Sequence, residues 1–392
     1  MIRYLLALIF VTLSVIDVTE AQTKPRARDL GVPFDGTPGP LNSITDVKGV
    51  EVGQTTLISG DGKLEVGKGP VRTGVTAILP RGRESNDLPF AGWFSLNGNG
   101  EMTGTTWLEE SGLLEGPVVI TNTHSVGLAR DAVIAWHIKR GGLSQPWSLP
   151  VVAETWDGTL NDINGFHVKE KHVFEALDGA KSGPVQEGNV GGGTGMICYG
   201  FKGGIGTSSR AIQLSGTAYT VGVLVQANFG RRPQLRIGGV PVGLEITEDP
   251  VIGRESFSSS GEVGSIIVVV ATDVPLLPHQ LKRLARRVSL GLARTGATSG
   301  DGSGDIFIAF STANAGASNA AQASVALTMV PNGRMNPVFD ATVHATEEAI
   351  INALVAAETM AGINNHKATA LPHDRLKQVL KKYNRLVERT DK

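Results

Sequence analysis

The most constraining feature of this 392-residue sequence is an abrupt change of pattern at Gly264-Ser265. A polar, serine-rich loop over residues 255–264 runs directly into residues 266–271, which are all apolar and mostly β-branched. A short apolar run of this kind, bounded by a loop, predicts a buried central β-strand. The chain must therefore build its core around this strand, and a serine stands where the strand begins.

Ser265 stands where a self-activating nucleophile would need to be. In an N-terminal-nucleophile hydrolase, the serine cuts the bond before it and then supplies both the hydroxyl and the free α-amine that activates it. Gly264 suits the cut position because it has no Cβ to block attack on its carbonyl and tolerates unusual backbone angles. An ordinary loop before a strand has the same pattern. The junction between Gly264 and Ser265, called the seam below, therefore leaves both interpretations open.

Composition excludes some classes of partner and fold. The 36 Lys and Arg residues are balanced by 37 Asp and Glu residues, so we expect no nucleic-acid partner. The length allows two average domains or one large α/β unit, and the lack of a long linker or repeat favours one compact domain of sheets covered by helices. The single cysteine, Cys198, excludes an intramolecular disulfide, and its apolar neighbours predict a buried side chain.

The first residues have the pattern of a secretory signal. Arg3 precedes a mostly apolar run over residues 5–16, and Ala21 offers a small residue for cleavage. The run is short for a membrane span, although an uncleaved membrane anchor is the alternative. We therefore expect residues 1–21 to be a signal peptide and the mature protein to be periplasmic or secreted, without stable membrane association.

Hydrophobic spacing predicts the helices and strands around the seam. Residues 41–230 are strand-rich, because β-branched runs alternate there with glycine-rich turns. Helical periodicity predicts helices over residues 125–139, 171–177, 275–294, 345–361 and 372–392, and a buried strand is predicted over residues 306–310. Asp273 is expected to cap the third helix, and Glu347 and Glu348 are expected in the first turn of the fourth. The charged last helix is interpreted as a solvated surface.

Three other patterns carry weaker chemical signals. The glycine run over residues 191–196 lacks the Gly-Lys-Ser/Thr ending of a phosphate-binding loop, so a turn and active-site wall are better interpretations. His167 and His172 do not have the spacing of a zinc motif. A conventional Ser-His-Asp hydrolase would need a Gly-x-Ser-x-Gly elbow with a matching strand and helix, which the sequence does not offer. We expect no metal and no cofactor.

Polar side chains also lie next to two other predicted strands, where they could take part in catalysis. The segment Gly302-Ser303-Gly304-Asp305 puts a hydroxyl and a carboxylate beside a buried strand. Near a free amino terminus these groups would hold an amine in place, although an ordinary turn has the same pattern. Asn228 ends another apolar run, where its amide could either donate to an oxyanion or simply form a turn.

Seven ordered segments of the sequence together carry a resemblance to a known family. They are residues 42–53, 96–104, 121–127, 154–158, 226–230, 264–267 and 303–305. These segments resemble the DmpA-type aminopeptidases, the self-processing L-aminopeptidase/D-esterase family that includes the β-peptidyl aminopeptidases. The resemblance covers nearly the whole mature chain, and so many ordered matches are far more specific than any one motif.

The resemblance implies an α/β fold, a four-layer αββα sandwich of the DmpA/ornithine acetyltransferase type. It also implies a precursor cleaved between Gly264 and Ser265 into an α chain of residues 22–264 and a β chain of residues 265–392. By the same resemblance, Ser265 is the nucleophile, its α-amine is the base, and Asn228 stabilises the oxyanion. Ser303 and Asp305 would orient the amino groups at the site.

Two positions depart from the family pattern. Asp305 stands where some members carry a longer glutamate, which shortens its reach toward a substrate ammonium. Trp156 stands where others carry a tyrosine, and an indole offers one N–H but no acidic hydroxyl. Trp156 is therefore expected to form a wall of the substrate pocket, and Glu101 is expected to bind substrate.

The function implied is that of an exported, self-processing serine hydrolase, associated as a homo-oligomer of αβ units. It would release N-terminal residues from small peptides, amides or esters through an acyl-enzyme. One alternative is an uncleaved, inactive binding or assembly protein of the same fold. Another is acyl transfer to an amine, as in the related ornithine acetyltransferases, but those use a threonine nucleophile and this seam has a serine.

Overall fold

The structure is a computed structural model that describes residues 24–253 and 264–388. The predicted signal peptide and the polar loop over residues 255–263 lie outside the described residues. The strands are β1 (Glu51–Ser59), β2 (Val71–Leu79), β3 (Phe90–Ser95), β4 (Val118–Asn122), β5 (Val151–Thr155), β6 (Ile197–Cys198), β7 (Phe201–Lys202), β8 (Gly204–Leu214), β9 (Thr217–Asn228), β10 (Ser265–Thr272), β11 (Ile306–Ser311), β12 (Met360–Ala361) and β13 (Lys367–Ala368). The α-helices are α1 (Thr105–Ser111), α2 (Val126–Arg140), α3 (Glu170–Asp178), α4 (Val242–Glu245), α5 (Pro278–Arg294), α6 (Asn336–Ala356) and α7 (His373–Lys382).

Two main sheets form the centre of the described chain. The first has the strand order β1-β2-β4-β5, and the second has the order β3-β11-β10-β9-β8. Strand β10, which begins at the seam, is the middle strand of the second sheet, antiparallel to β9 and parallel to β11. All of its residues are buried, which confirms the central strand predicted from the sequence.

The side chains of β10 alternate between two hydrophobic cores, because successive residues of a strand point to opposite faces. Ile267 and Val269 pack in the core between the two sheets, together with Ile120 of β4. Ile266 and Val268 pack on the other face, in the core formed with α5 and α6. A third core joins the outer face of the first sheet to α2 and α3. The layers are therefore helix, sheet, sheet and helix, which is the αββα sandwich expected from the resemblance.

Helix α5 begins three residues later than predicted, at Pro278. Leu277 precedes this proline and is extended, with φ −90° and ψ 162°, because a residue before proline disfavours the helical region. Pro278 itself fits the first helical turn, where no N–H is required. The prediction that Asp273 caps the helix is wrong, since its carboxylate accepts a hydrogen bond from the Thr220 N–H at 2.7 Å.

Helix α6 was predicted to begin at residue 345, but it begins at Asn336 and ends at Ala356. Glu347 and Glu348 therefore lie in the middle of the helix, and both are buried. Glu348 pairs with Arg210 at 2.7 Å and with Arg28 at 2.8 Å, so these carboxylates bind arginines rather than the helix N-terminus.

The C-terminal helix α7 is amphipathic. Its charged residues are mostly exposed, but Leu376, Val379 and Leu380 are buried in the core that contains α5 and α6. The interpretation of this segment as a solvated surface therefore holds for one face only. The Cys198 side chain is buried, as predicted. In the part of the chain that the structure describes, no helix is long and apolar enough to cross a membrane.

Replacing Glu348 by alanine is expected to destabilise the protein strongly. Arg210 is 1% exposed and would lose its buried carboxylate, a change that costs about 3–5 kcal/mol in other proteins. Thermal unfolding followed by circular dichroism should show a midpoint lowered by several degrees. Glu248→Ala is the control, because Glu248 and its partner Arg375 are exposed and such pairs contribute about 0–1 kcal/mol. Equal shifts for both variants would contradict the structural role of Glu348.

Candidate active site

The bond between Gly264 and Ser265 lies at the start of β10, beside the end of β9. Ser265 pairs with Asn228, the last residue of β9. Gly264 has φ +143°, and a Cβ on this residue would lie 2.1 Å from the Asn228 carbonyl oxygen. Both the backbone angle and the close approach require glycine, so the seam has a geometric reason for this residue.

The loop before β11 meets the seam, because parallel strands begin at the same edge of a sheet. The Gly304 N–H donates a hydrogen bond to Ser265 Oγ at 3.0 Å. Ser303 Oγ lies 2.5 Å from the Gly264 carbonyl oxygen and 2.7 Å from Asp305 Oδ1. The structure therefore brings Ser265, Ser303 and Asp305, which the sequence singled out, together at this edge of the sheet.

Asp305 is fully buried, and its environment changes its proton affinity. Burial raises the pKa of this carboxyl, while hydrogen bonds, the largest from Ser303, oppose the shift. The Ser303 hydroxyl has a single proton and can donate it to only one of its two neighbours. A protonated Asp305 would donate to Ser303 Oγ and leave the Ser303 proton for the Gly264 carbonyl.

Asn228 has a fixed amide orientation. Its Oδ1 accepts a hydrogen bond from the Ile197 N–H at 2.8 Å, and its Nδ2 donates one to the Trp156 carbonyl at 2.8 Å. The second Nδ2 proton has no acceptor within residues 24–253 and 264–388. The geometry thus leaves one amide N–H for another acceptor.

The two residues predicted to bind substrate differ in their surroundings. The half-buried Trp156 ring packs against Gly158, where a Cβ would lie 2.7 Å from the indole. The Glu101 side chain is exposed. Its backbone N–H, rather than its carboxylate, points inward and donates to Glu154 Oε1 at 3.0 Å.

The other sequence motifs lie in separate surroundings. Residues Gly191–Gly193 form a tight 3-10 turn, and a Cβ on Gly192 would lie 2.1 Å from Gln226 Oε1, so this glycine run is a turn packed beneath β9. His167 Nε2 contacts Asp162 Oδ2 at 2.8 Å, whereas His172 Nδ1 accepts the Lys169 N–H. Among the described residues, no group of three or more His, Cys, Asp or Glu side chains is arranged to hold a metal ion.

Comparison with known proteins shows the family of this chain. Residues 42–368 match Peptidase family S58. This chain belongs to peptidase family S58. It is 57% identical over 372 residues to the β-peptidyl aminopeptidase BapA of Sphingosinicella microcystinivorans, covering 92% of this chain and 93% of that protein. It is 50% identical over 375 residues to BapA of Sphingosinicella xenopeptidilytica, covering 93% of each.

Solved structures show the same relationship. The L-aminopeptidase D-Ala-esterase/amidase of Ochrobactrum anthropi, described as a variant of the Ntn hydrolase fold, matches with a TM-score of 0.86 and 50% identity, over 93% of this chain and 100% of that one. A β-aminopeptidase of Burkholderia sp. matches with a TM-score of 0.84 and 46% identity, over the same shares. The S58 chain is accordingly a serine aminopeptidase of the N-terminal-nucleophile type, and the resemblance found in the sequence is confirmed.

Glu154 is a buried acidic residue near the seam that the sequence did not single out as a candidate. It is 3% exposed at the end of β5, where Oε1 accepts the Glu101 N–H and Oε2 accepts the Thr123 hydroxyl. Burial raises the pKa of this carboxyl, while the Thr123 hydrogen bond opposes the shift. A signal was available in the sequence, since Glu154 interrupts an otherwise apolar strand two residues before Trp156.

The position of Glu154 relative to the seam follows from the glycines between them. A Cβ on Gly100 would lie 3.3 Å from Glu154 Oε1 and 3.0 Å from Gly304 Cα, so both flank the same residue. Gly304 in turn donates to Ser265 Oγ. The Glu154 carboxyl group and Gly304, which contacts Ser265, therefore lie on two sides of Gly100.

Proposed function

We propose that this aminopeptidase is made as a precursor that cleaves itself between Gly264 and Ser265. Ser265 then releases N-terminal residues from small peptides, amides or esters. The observation that carries the proposal is the pair of hydrogen bonds at the seam, from Ser303 Oγ to the Gly264 carbonyl and from the Gly304 N–H to Ser265 Oγ. These contacts place an electrophile, a nucleophile and a donor at one peptide bond.

Self-cleavage would proceed by an N-to-O acyl shift. Ser265 Oγ attacks the Gly264 carbonyl carbon, the C–N bond breaks, and the proton of the hydroxyl passes to the nitrogen that leaves. The Ser303 hydroxyl, 2.5 Å from the carbonyl oxygen, stabilises the negative charge that develops there. Water then hydrolyses the ester, which leaves a carboxylate on Gly264 and a free α-amine on Ser265.

Turnover would use that α-amine as the base. An α-amine has an unperturbed pKa of about 8, so a useful fraction is neutral near neutral pH and can take the proton of the Ser265 hydroxyl. The remaining Asn228 amide N–H would stabilise the oxyanion, while Ser303 and Asp305 would orient the amine. The α-ammonium then protonates the leaving amine, and water hydrolyses the acyl-enzyme.

Glu154 would bind the free amine of the substrate. A buried carboxylate is costly unless an opposite charge meets it, and a substrate ammonium supplies that charge. Glu101, which the sequence suggested for substrate binding, has an exposed side chain and contributes its N–H to hold Glu154. N-terminal β-amino acid residues are included in the proposed substrate range, because two relatives that cover over 90% of the chain are β-peptidyl aminopeptidases.

Ser265→Ala should abolish both self-cleavage and hydrolysis, because the variant has neither the attacking hydroxyl nor a new amino terminus. Intact mass under denaturing conditions should show two wild-type fragments that meet at Gly264 and Ser265, and a single chain for the variant. The exposed Ser324→Ala is a control that should be cut and active. A wild-type chain that stays unbroken yet hydrolyses substrate would refute self-activation, and one that stays unbroken and inactive would favour the binding protein.

Glu154→Gln should weaken binding of substrates that carry a free amine. Losing a charged hydrogen bond costs about 1.5–3 kcal/mol, so we expect KM to rise roughly 10- to 100-fold with a smaller change in kcat. Since the pKa of Glu154 is raised, the wild-type KM should increase as pH falls, at a higher pH than for an ordinary glutamate. Glu101→Gln is the matched control and should change KM far less, because its exposed carboxylate acts on Glu154 only through its charge. The opposite result for the pair would reassign the amine site to Glu101.

We also propose that the chain is exported and that residues 1–21 are removed, as the N-terminal pattern suggests. The mature αβ units are expected to form a homo-oligomer free of the membrane. Expression of the full chain in a Gram-negative host, followed by fractionation and N-terminal sequencing, tests the export. Recovery from the periplasm with an amino terminus near residue 22 is expected, whereas cytoplasmic protein that begins at Met1 would contradict it.

A further inference from the structure

Lys202 is a buried lysine that the proposed mechanism does not use. Its side chain, on β7, is 0% exposed. The Nζ atom donates to three backbone carbonyls, those of Met196 at 2.8 Å, Gly203 at 2.9 Å and Gly193 at 3.3 Å. An ammonium has three protons, so this set of acceptors matches it fully. A lysine this deeply buried is rare unless its charge is compensated.

Two of the carbonyls that bind Lys202 flank one hairpin, and the third, that of Gly193, lies in the 3-10 turn before it. Strands β6 and β7 are joined by Tyr199 and Gly200, which both have positive φ, +51° and +68°, as in a type I′ turn. Met196 immediately precedes β6 and Gly203 immediately follows β7. The ammonium therefore ties the beginning of the hairpin to its end, beneath the strands.

The same hairpin holds the last residue of β9 and the residue that follows it. The Tyr199 N–H donates to the Phe229 carbonyl at 2.7 Å, and the Ile197 N–H donates to Asn228 Oδ1 at 2.8 Å. A flipped Asn228 amide would turn its NH₂ group toward the Ile197 N–H, and two donors would then face each other. The position of Ile197 thus decides which direction the Asn228 N–H groups take.

We propose that Lys202 is a positioning residue for the reaction: its ammonium fixes the β6–β7 hairpin so that Ile197 holds the Asn228 amide with one N–H directed at the oxyanion. This inference rests on the role proposed above for Asn228. Lys202 does not touch the reacting atoms and acts through the backbone of residues 193–203.

The surroundings of Lys202 shift its pKa and also favour its ammonium form. Burial, together with the nearby Lys24, lowers the pKa of this lysine to about 7, while Cys198 and Asp157 oppose the shift. The three carbonyl acceptors favour the ammonium form, because a neutral amine has only two protons to donate. Asp157 directly follows Trp156, whose carbonyl is the other fixed partner of the Asn228 amide.

A double-mutant cycle with Asn228 tests the proposal. Lys202→Met keeps the length of the side chain but removes the donors, and a misplaced catalytic group costs up to about 10²-fold in rate. In the processed enzyme we expect Lys202→Met to lower kcat roughly 10- to 100-fold with little change in KM. Lys202→Arg should recover part of that loss. In an Asn228→Ala background, Lys202→Met should lower kcat by less than about twofold, because the amide that it positions is gone.

The outcomes separate positioning from stability. Equal losses of kcat in both backgrounds would overturn the proposal, since a purely structural lysine acts independently of Asn228. If the single variant Asn228→Ala keeps the wild-type kcat, the proposed oxyanion contact is refuted. The exposed Lys181→Met is the matched control and should be unchanged in kcat and KM. If Lys202→Met does not fold, Lys202→Gln, which keeps an N–H donor without the charge, takes its place in the cycle and is judged by the same coupling.

Discussion

The parallel pairing of β10 with β11 is the constraint on which the site depends. Since both strands begin at the same edge, the residues just before them become neighbours, and Ser265 meets the loop of Ser303 and Gly304. Strand β9 runs antiparallel and ends at this edge, which adds Asn228. The sheet therefore assembles groups from three distant parts of the chain.

Buried charges around this edge are each held by backbone or hydroxyl groups. Glu154 accepts from a backbone N–H and a threonine hydroxyl, Asp305 accepts from the Ile266 N–H and lies beside the Ser303 hydroxyl, and Lys202 donates to three carbonyls. Such partners keep a charge in place without neutralising it with a second side chain. A carboxylate held in this way remains able to receive a cation, which a closed ion pair such as Arg210 with Glu348 cannot do as readily.

The sequence predicted the features that depend on local pattern. The buried strand after Ser265, the polar residues Ser303 and Asp305 before the next buried strand, and the layered α/β fold follow from apolar runs and turn residues. The misplaced start of α6 has a different cause, since Glu347 and Glu348 look like first-turn acids unless their arginine partners from distant segments are known. Glu154 was missed for the same reason, because its neighbourhood with Gly304 arises only from packing of the two sheets.

On the proposed mechanism, the seam also gives a reason for the uncut chain to be inactive on other substrates. In the continuous chain, the Gly264 carbonyl lies beside Ser303 Oγ, and Gly264 packs against the Asn228 carbonyl so closely that no Cβ fits. The Gly264–Ser265 peptide therefore occupies space next to Ser265 that, on the proposed mechanism, an acyl group must enter. On the proposed mechanism, one cleavage both creates the amine base and frees this space. The Ser303 hydroxyl would then change its hydrogen-bond partner, from the Gly264 carbonyl to the new α-amine of Ser265.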